Sequence, residues 1–368
     1  MNYETLPIDL GETAYPVFIG EGLLVGLKGI LEPIVGGSDF FVIIDENIQE
    51  LYGDAIACGI GVARDDFFVI KAGKDNKTFS AAMSIFSELD KKNISRDSTI
   101  IAVGGGVVGD LAGFVASCWY RGTGLVHMPT SLLAAVDSTL GGKTAINFKK
   151  TVNAVGSYHH PKAIVIDTDL LMSLPTREIS SGFGEIIKYA VIGNSEIKDK
   201  LTSLGDMTSF DLSWYISNSL KTKEKFVSND VQEGSKRLFL NFGHTIGHAI
   251  EFSTIVNGKE LLRHGEGVAL GMLAVFYISK HLGYLNASDI DWLMSSLTAY
   301  NLPTSLQASM LAVSRESLVD RIIDLAFKDK KRIKKTLRLI LLDNIGNPFI
   351  FESDDRELVR VGVEAVVV

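Results

Sequence analysis

Of the seven histidines in the chain, His244, His248 and His264 fall within one short segment. The first two belong to the string NFGHTIGH, residues 241–248. It lies in an apolar run whose period predicts a helix over 238–252. Positions four apart overshoot one helical turn by about 40°, so both imidazoles share a face. Two neutral imidazoles at that spacing form half of a zinc site. A zinc peptidase would carry its glutamate base directly after the first histidine; here that residue is Thr245, so peptidase chemistry is not expected. A third ligand must come from elsewhere, and His264 in HGE (264–266) and Glu185 in GEIIK (184–188) are the candidates. Paired histidines also serve as packing or capping groups, but the concentration of histidine in this one segment favours a metal.

A second chemical signal is GGGVVGDLAGF, residues 104–114, directly after the apolar run TIIAV at 99–103. It satisfies G-x-G-x-x-G between a strand and a helix. There the backbone can approach a pyrophosphate while the helix N-terminus stabilises its charge. No acid follows about 20 residues on to grip a ribose, as the dinucleotide fingerprint would have it; Asp45, at the end of another strand, can take that role. Asp137 interrupts an apolar helix, where an unpaired acid would be costly. Gly141 and Gly142 let Lys143 approach a ligand closely. Arg121, Lys143 and Asn153 suit an anionic substrate, although each alone also reads as a solvated surface residue.

These residues need a scaffold. The run FFVII (40–44), the strand at 67–70 and the run at 99–103 alternate with helical patterns at 48–57 and 78–91. Such βαβαβ alternation predicts a parallel sheet with helices on both faces. Short strands are expected at the opening residues, at 15–19 and at 124–128. Beyond about residue 180 helical patterns dominate: 181–191, 212–226, 238–252, 267–281, 288–300 and 317–327. A boundary near Leu174 and Pro175 gives two domains, 1–174 and 175–368. The 368 residues, 46% hydrophobic and 22% charged, fit a soluble globular protein with ample core. A net charge of −8 argues against nucleic-acid binding. Two cysteines make neither a disulfide framework nor a thiolate metal cluster. The opening residues show no secretory signal and no apolar stretch is long enough to span a membrane, so a cytoplasmic location is expected.

The order and number of these motifs resemble the 3-dehydroquinate synthases, within the sugar phosphate cyclase superfamily. The likeness runs from about Asp45 to Gly346. Its specific pieces include the glycine loop, PTSLL (129–133), VDS (136–138), GGKT (141–144), LPTRE (174–178), EIIKY (185–189), Arg237, NFGHTIGHAIE (241–251) and HGE (264–266). The resemblance implies an α/β N-terminal NAD-binding domain with a parallel sheet and a mostly α-helical C-terminal metal-binding domain. It implies that Glu185, His244 and His264 hold zinc or cobalt, leaving His248 beside the metal as an active-site group. It assigns NAD to Asp45, Asn47, Lys77, Gly105, Gly106, Val107, Val108, Gly109, Asp110, Thr130, Ser131, Lys143, Leu170 and Leu171. Lys143, Asn153, Arg237, Asn241 and His248 would hold a phosphate. Arg121, Lys223 and Lys330 or Lys331 would hold a carboxylate or phosphate. Lys188 would contact substrate hydroxyls, and Asp137 would orient a hydroxyl or the nicotinamide side. The implied reaction is cyclisation of a sugar phosphate, 3-deoxy-arabino-heptulosonate 7-phosphate, to 3-dehydroquinate with loss of phosphate. The implied assembly is a homodimer.

Some positions depart from the family pattern. Lys74 stands where an acid is usual, Val152 where a lysine is usual, Ala145 where glycine is usual, and Val231 where an acid is usual. The first two touch the expected cofactor shell. They keep open a related cyclase acting on another sugar phosphate. A metal-dependent NAD polyol or alcohol dehydrogenase is the rival of another reaction class, but it has little use for so many cationic residues. A binding or regulatory protein without turnover is a third reading.

Overall fold

A computed structural model describes residues 3–149, 151–202, 209–228, 230, 234–328 and 336–368. The chain forms two compact units, Met1–Leu174 with Met207–Glu224, and Pro175–Asp206 with Lys225–Val368.

In the first unit the strands are β1 (Tyr3–Asp9), β2 (Ala14–Gly20), β3 (Phe40–Asp45), β4 (Phe68–Ile70), β5 (Thr99–Gly104), β6 (Gly124–Pro129), β7 (Lys143–Phe148), β8 (Thr151–Tyr158) and β9 (Ala163–Asp167). The helices are α1 (Leu27–Val35), α2 (Glu46–Ile60), α3 (Phe79–Lys91), α4 (Gly106–Cys118) and α5 (Thr168–Met172). Seven strands form one sheet in the order β1-β2-β9-β6-β5-β3-β4. Only the β1–β2 edge is antiparallel; the pairs from β2 to β4 run parallel.

Alternate residues of one strand face opposite sides. Val42 and Ile44 pack with Leu27, Ile56 and Ile60 from α1 and α2. Phe41 and Ile43 pack with Ile85, Leu89, Leu111 and Val115 from α3 and α4. Both faces are thus covered, which is why these strands read as unbroken apolar runs. Ile44 pairs with Val103, and Gly104 pairs with Pro129. The residues after β3, β5 and β6 therefore emerge at one C-terminal edge of the sheet, where open α/β sheets take ligands. The β7–β8 hairpin pairs Lys143 with Tyr158 and was not visible in the sequence patterning.

The second unit contains α6 (Thr176–Ile192), α7 (Ser195–Thr202), the end of α8 (Ser209–Val227), α9 (His244–Ser253), the short strands β10 (Ile255–Val256) and β11 (Lys259–Glu260), α10 (His264–His281), α11 (Ala287–Ala299), α12 (Arg315–Lys328), the hairpin of β12 (Leu337–Asn344) with β13 (Asn347–Ser353), and α13 (Arg356–Val366). Helix α10 is buried at every residue from Gly265 to Phe276, so it is the core of this unit.

One expectation is corrected here. The span 238–252 is not a single helix. A 3-10 helix, Lys236–Asn241, ends before an extended Phe242 and a left-handed Gly243 at φ 75°, and α9 begins afresh at His244. Only glycine tolerates this: a Cβ on Gly243 would lie 2.7 Å from Met272 Cγ and 2.9 Å from its backbone nitrogen. The break sends Phe242 into the core, edge-on to Phe276.

Candidate active site

The histidine cluster is assembled by glycine contacts between helices of the second unit. A Cβ on Gly271 would lie 2.0 Å from the Gly243 carbonyl oxygen, and one on Gly247 2.8 Å from that of Gly267, so α9 and α10 touch backbone to backbone. A Cβ on Gly265 would lie 1.8 Å from the Ser181 carbonyl oxygen, and one on Gly184 2.6 Å from that of Gly265, which brings α6 equally close to α10. Each of Glu185, His244, His248 and His264 is next to one of these glycines in sequence. Close approach thus delivers Glu185 from α6, His244 and His248 from α9 and His264 from α10 to one place.

Glu185 is fully buried. Its Oε2 meets the Lys188 ammonium, also buried and one turn along α6. Its Oε1 faces His244 Nε2 at 3.3 Å and His264 Nε2 at 3.2 Å. Ligand atoms of His244, His248 and His264 lie within 4.8 Å of one another. The other ring nitrogens are occupied. His244 Nδ1 donates to the Phe242 carbonyl at 3.0 Å, and His264 Nδ1 donates to Glu251 Oε1 at 3.1 Å. With their protons on Nδ1, neutral imidazoles aim lone pairs from Nε2 at a carboxylate oxygen. That arrangement is repulsive unless a cation sits among them.

The electrostatics agree. Burial alone would raise the Glu185 carboxyl, but Lys188 and then His244 hold it well below the carboxylate range. Burial would lower His264, yet Glu185 and Glu251 outweigh it and raise the ring to about 10. A proton on His264 therefore relieves the same excess of negative charge that a divalent ion would. His248 is lowered to about 4, chiefly by burial. Three oxygen and nitrogen donors, two with their second ring nitrogen fixed by an acceptor, fit zinc or cobalt.

In the first unit the glycine loop opens α4. Its N-cap, Gly105, makes no side-chain capping bond, and no acid stands in the first turn. A Cβ on Gly105 would meet Ser131 Oγ at 3.4 Å, and one on Gly106 would meet Ser138 Oγ at 3.2 Å. A bare helix N-terminus flanked by hydroxyls fits a pyrophosphate. Thr130 is buried, and its N–H donates to the Gly104 carbonyl at 3.0 Å. Asp45 caps α2, accepting from the Asn47 backbone and side-chain nitrogens at 3.0 Å each. Val108, Leu170 and Leu171 are buried; Val108 and Leu170 belong to the core on opposite faces of the sheet.

Lys77 is buried, and its ammonium donates to Asp110 and to the Asn153 side-chain oxygen. Burial raises the Asp110 carboxyl, against the lowering effect of Lys77. Asp110, Lys143 and Asn153 line a pocket of about 320 Å³ together with Thr144, Ser157 and Tyr158. Asp137 sits in a π-helical turn, Ala134–Ser138. It accepts from buried Lys223 Nζ at its carboxylate (2.8 Å) and its backbone carbonyl (2.6 Å), so this acid is paired. Arg121 is exposed with a left-handed φ of 65°.

In the second unit Arg237 is buried, and its backbone nitrogen donates to Asp230 Oδ2 at 3.1 Å. Asn241 ends the 3-10 helix before the histidines. Lys330 and Lys331 lie outside the described residues. Sequence reasoning assigned no role to Glu251 or Glu266. Glu251 is seven residues after His244, two turns along the same face, a signal that could have found it. Glu266 accepts from Arg177 at 2.6 and 2.7 Å and from the Arg263 N–H at 2.8 Å, pinning the start of α10 where His264 stands.

Comparison with known proteins places this geometry in context. Residues 67–181 match the 3-dehydroquinate synthase N-terminal family, and 182–332 match the 3-dehydroquinate synthase C-terminal family. The 3-dehydroquinate synthase of Methylococcus capsulatus is 34% identical over 365 residues, 98% of this chain and 99% of that protein. Among solved structures, a 2-deoxy-scyllo-inosose synthase complexed with carbaglucose-6-phosphate, NAD+ and Co2+ superposes with a TM-score of 0.83. It is 25% identical and covers 98% of this chain and 99% of that one. The 2-epi-5-epi-valiolone synthase of Streptomyces hygroscopicus, with NAD+ and Zn2+ bound, has a TM-score of 0.80 at 22% identity, covering 95% and 96%; it shares the fold.

Proposed function

The chain belongs to the 3-dehydroquinate synthase family, and from that premise we propose how its residues serve the reaction. The enzyme converts 3-deoxy-D-arabino-heptulosonate 7-phosphate to 3-dehydroquinate and phosphate, a step of the shikimate pathway. The observation that carries the site reading is the buried Glu185 oxygen facing two histidine Nε2 atoms whose rings donate elsewhere. Glu185, His244 and His264 hold a divalent ion, zinc or cobalt, and His248 stands beside it. The bare N-terminus of α4, with Asp45, Asn47, Lys77, Asp110, Thr130 and Ser131, holds NAD. Bound there, NAD would supply a reversible hydride acceptor and the ion a Lewis acid for a substrate oxygen.

The chain's own groups bind and orient. Lys143, Asn153, Arg237, Asn241 and His248 receive the phosphate; a charged fork such as Arg237 suits it. Arg121, Lys223 and Lys330 or Lys331 receive the carboxylate or the phosphate. Lys188, buried against Glu185, donates to substrate hydroxyls. Asp137, fixed by Lys223, orients a hydroxyl or the nicotinamide side. Pre-positioning and charge stabilisation of this kind supply most of what the protein must add. We assign NAD binding to the domain 1–174 and metal binding to 175–368. We further propose a cytoplasmic homodimer. No helix among the described residues is long and apolar enough to cross a membrane, which agrees with that location. A light-scattering mass of twice 40.0 kDa would support the dimer.

The test is phosphate release from 3-deoxy-arabino-heptulosonate 7-phosphate with NAD and zinc each supplied or withheld, following NADH absorbance. Release that needs both, without net NADH, is expected. Stoichiometric NADH would point to a dehydrogenase. No release would exclude this substrate and turn attention to other sugar phosphates.

A further inference from the structure

Glu251 stands behind the histidine cluster without being one of its expected ligands. We propose that it is a positioning residue for the metal ligand His264, fixing the proton on Nδ1 so that Nε2 is presented as a lone pair; this rests on the metal reading above. Glu251 Oε1 accepts from His264 Nδ1 at 3.1 Å, while Nε2 of the same ring faces Glu185 Oε1 at 3.2 Å. The Glu251 side chain is only 14% exposed. Space is cut for it in the neighbouring helix: a Cβ on Gly267 would lie 2.5 Å from Glu251 Cγ and 2.9 Å from Oε1. An imidazole that keeps an acceptor at Nδ1 holds one tautomer and one ring orientation. Deprived of it, the ring can carry its proton on Nε2, the nitrogen the metal needs.

Glu251 differs in this from its helix neighbours. It follows His248 by one turn on α9, so α9 delivers His244 and His248 directly and, through Glu251, sets a third histidine that belongs to α10. One helix then fixes ligands on two elements, and the absent side chain at Gly267 lets it do so.

The experiment measures zinc affinity of the metal-stripped full chain by competition with a chromophoric chelator, with the absorption spectrum of the cobalt form beside it. E251A should bind zinc about 10–100-fold more weakly, the usual cost of removing such an outer partner. The cobalt spectrum should change as well. E251Q keeps an oxygen acceptor for Nδ1–H and should stay close to wild type. G267A, which pushes Glu251 aside, should weaken zinc as E251A does. Metal-free melting temperatures should be alike for wild type, E251A and E251Q. E251A binding zinc as tightly as wild type would overturn this inference alone. So would equal weakening in E251A and E251Q with lowered metal-free melting temperatures, which would mark a merely structural contact. A wild-type chain that takes up no zinc would overturn the metal centre itself and this inference with it.

Discussion

In the first unit Lys77 faces Asp110 and Lys223 faces Asp137, so each of these two acids meets a permanent cation. In the second unit Lys188 meets one oxygen of Glu185, while the other oxygen faces two imidazole nitrogens whose rings donate elsewhere. The first arrangement is closed: its charges cancel within the protein, and Asp110 lines the pocket that Lys143 and Asn153 share. The second is open by one positive charge, which a proton or a metal must supply. Burial of an acid is therefore not by itself a sign of a metal site. What distinguishes the two regions is whether the partner brings its own charge or only a lone pair.

The largest effect should come from the open region. H244A removes a lone pair and leaves Glu185 and His264 a poorer pair of ligands. We expect zinc content near zero by elemental analysis and turnover lowered by roughly 10³-fold or more, given that a catalytic metal supplies several kcal/mol of charge stabilisation. NAD affinity, measured by calorimetry, should stay within a few-fold of wild type. Loss of NAD binding in H244A, or retention of a full zinc equivalent, would break the contrast between the two regions.

The closed region predicts a loss of stability instead. K223M strands the Asp137 carboxylate, and D137N leaves Lys223 with a neutral partner. Removing one member of a fully buried pair costs about 3–5 kcal/mol. Asp137 keeps 26% of its side chain exposed, so about 2–3 kcal/mol is expected for K223M, read from urea unfolding. The K223M/D137N double variant should recover part of that loss, because no uncompensated charge remains. Zinc content should not change in any of the three. Equal loss in the single and double variants would mean that packing, not charge, makes this contact matter.

Much of this was legible in the sequence for a physical reason. Strands buried on both faces must be continuously apolar, so FFVII and TIIAV by themselves point to a parallel sheet. The histidines and the glycine loop are short local strings whose chemistry lies in their spacing. What was hidden is non-local or has no period. Lys77 and Asp110 are 33 residues apart, and Lys223 and Asp137 are 86 apart. Nothing in one sequence joins them. Strand β8 is exposed along almost its whole length, so it shows no alternation of apolar and polar residues. Gly243 read as a tolerated glycine in a helix because the clash that demands it comes from α10, more than a helix away in the chain. Glu251 was in plain view, and its partner on another helix was not.

His127 gives a third way to bury an ionisable group, and the smallest of the expected effects. It lies in β6, inside the sheet, where burial and then His159 lower its pKa to about 4. Among the described residues no acid holds its proton, in contrast to His264, which two carboxylates raise. This histidine resolves burial by staying neutral. In the unfolded chain it takes a proton near pH 6.5, the unperturbed value. Between pH 6.5 and about 4 the unfolded state binds more protons than the folded one, so stability falls as the solution is acidified. The stabilisation is fully present above pH 6.5, and roughly 2 kcal/mol of it should be gone by pH 5. H127Q, which cannot titrate, should flatten the dependence of urea midpoints between pH 7 and pH 5 by that amount, whatever it does to the stability at pH 7. Metal-stripped protein is the right material, since acid also strips metal from histidine ligands and would add a slope of its own. An unchanged slope in H127Q would mean that His127 is protonated when folded. Burial without a partner would then not be what distinguishes it from the metal-site histidines.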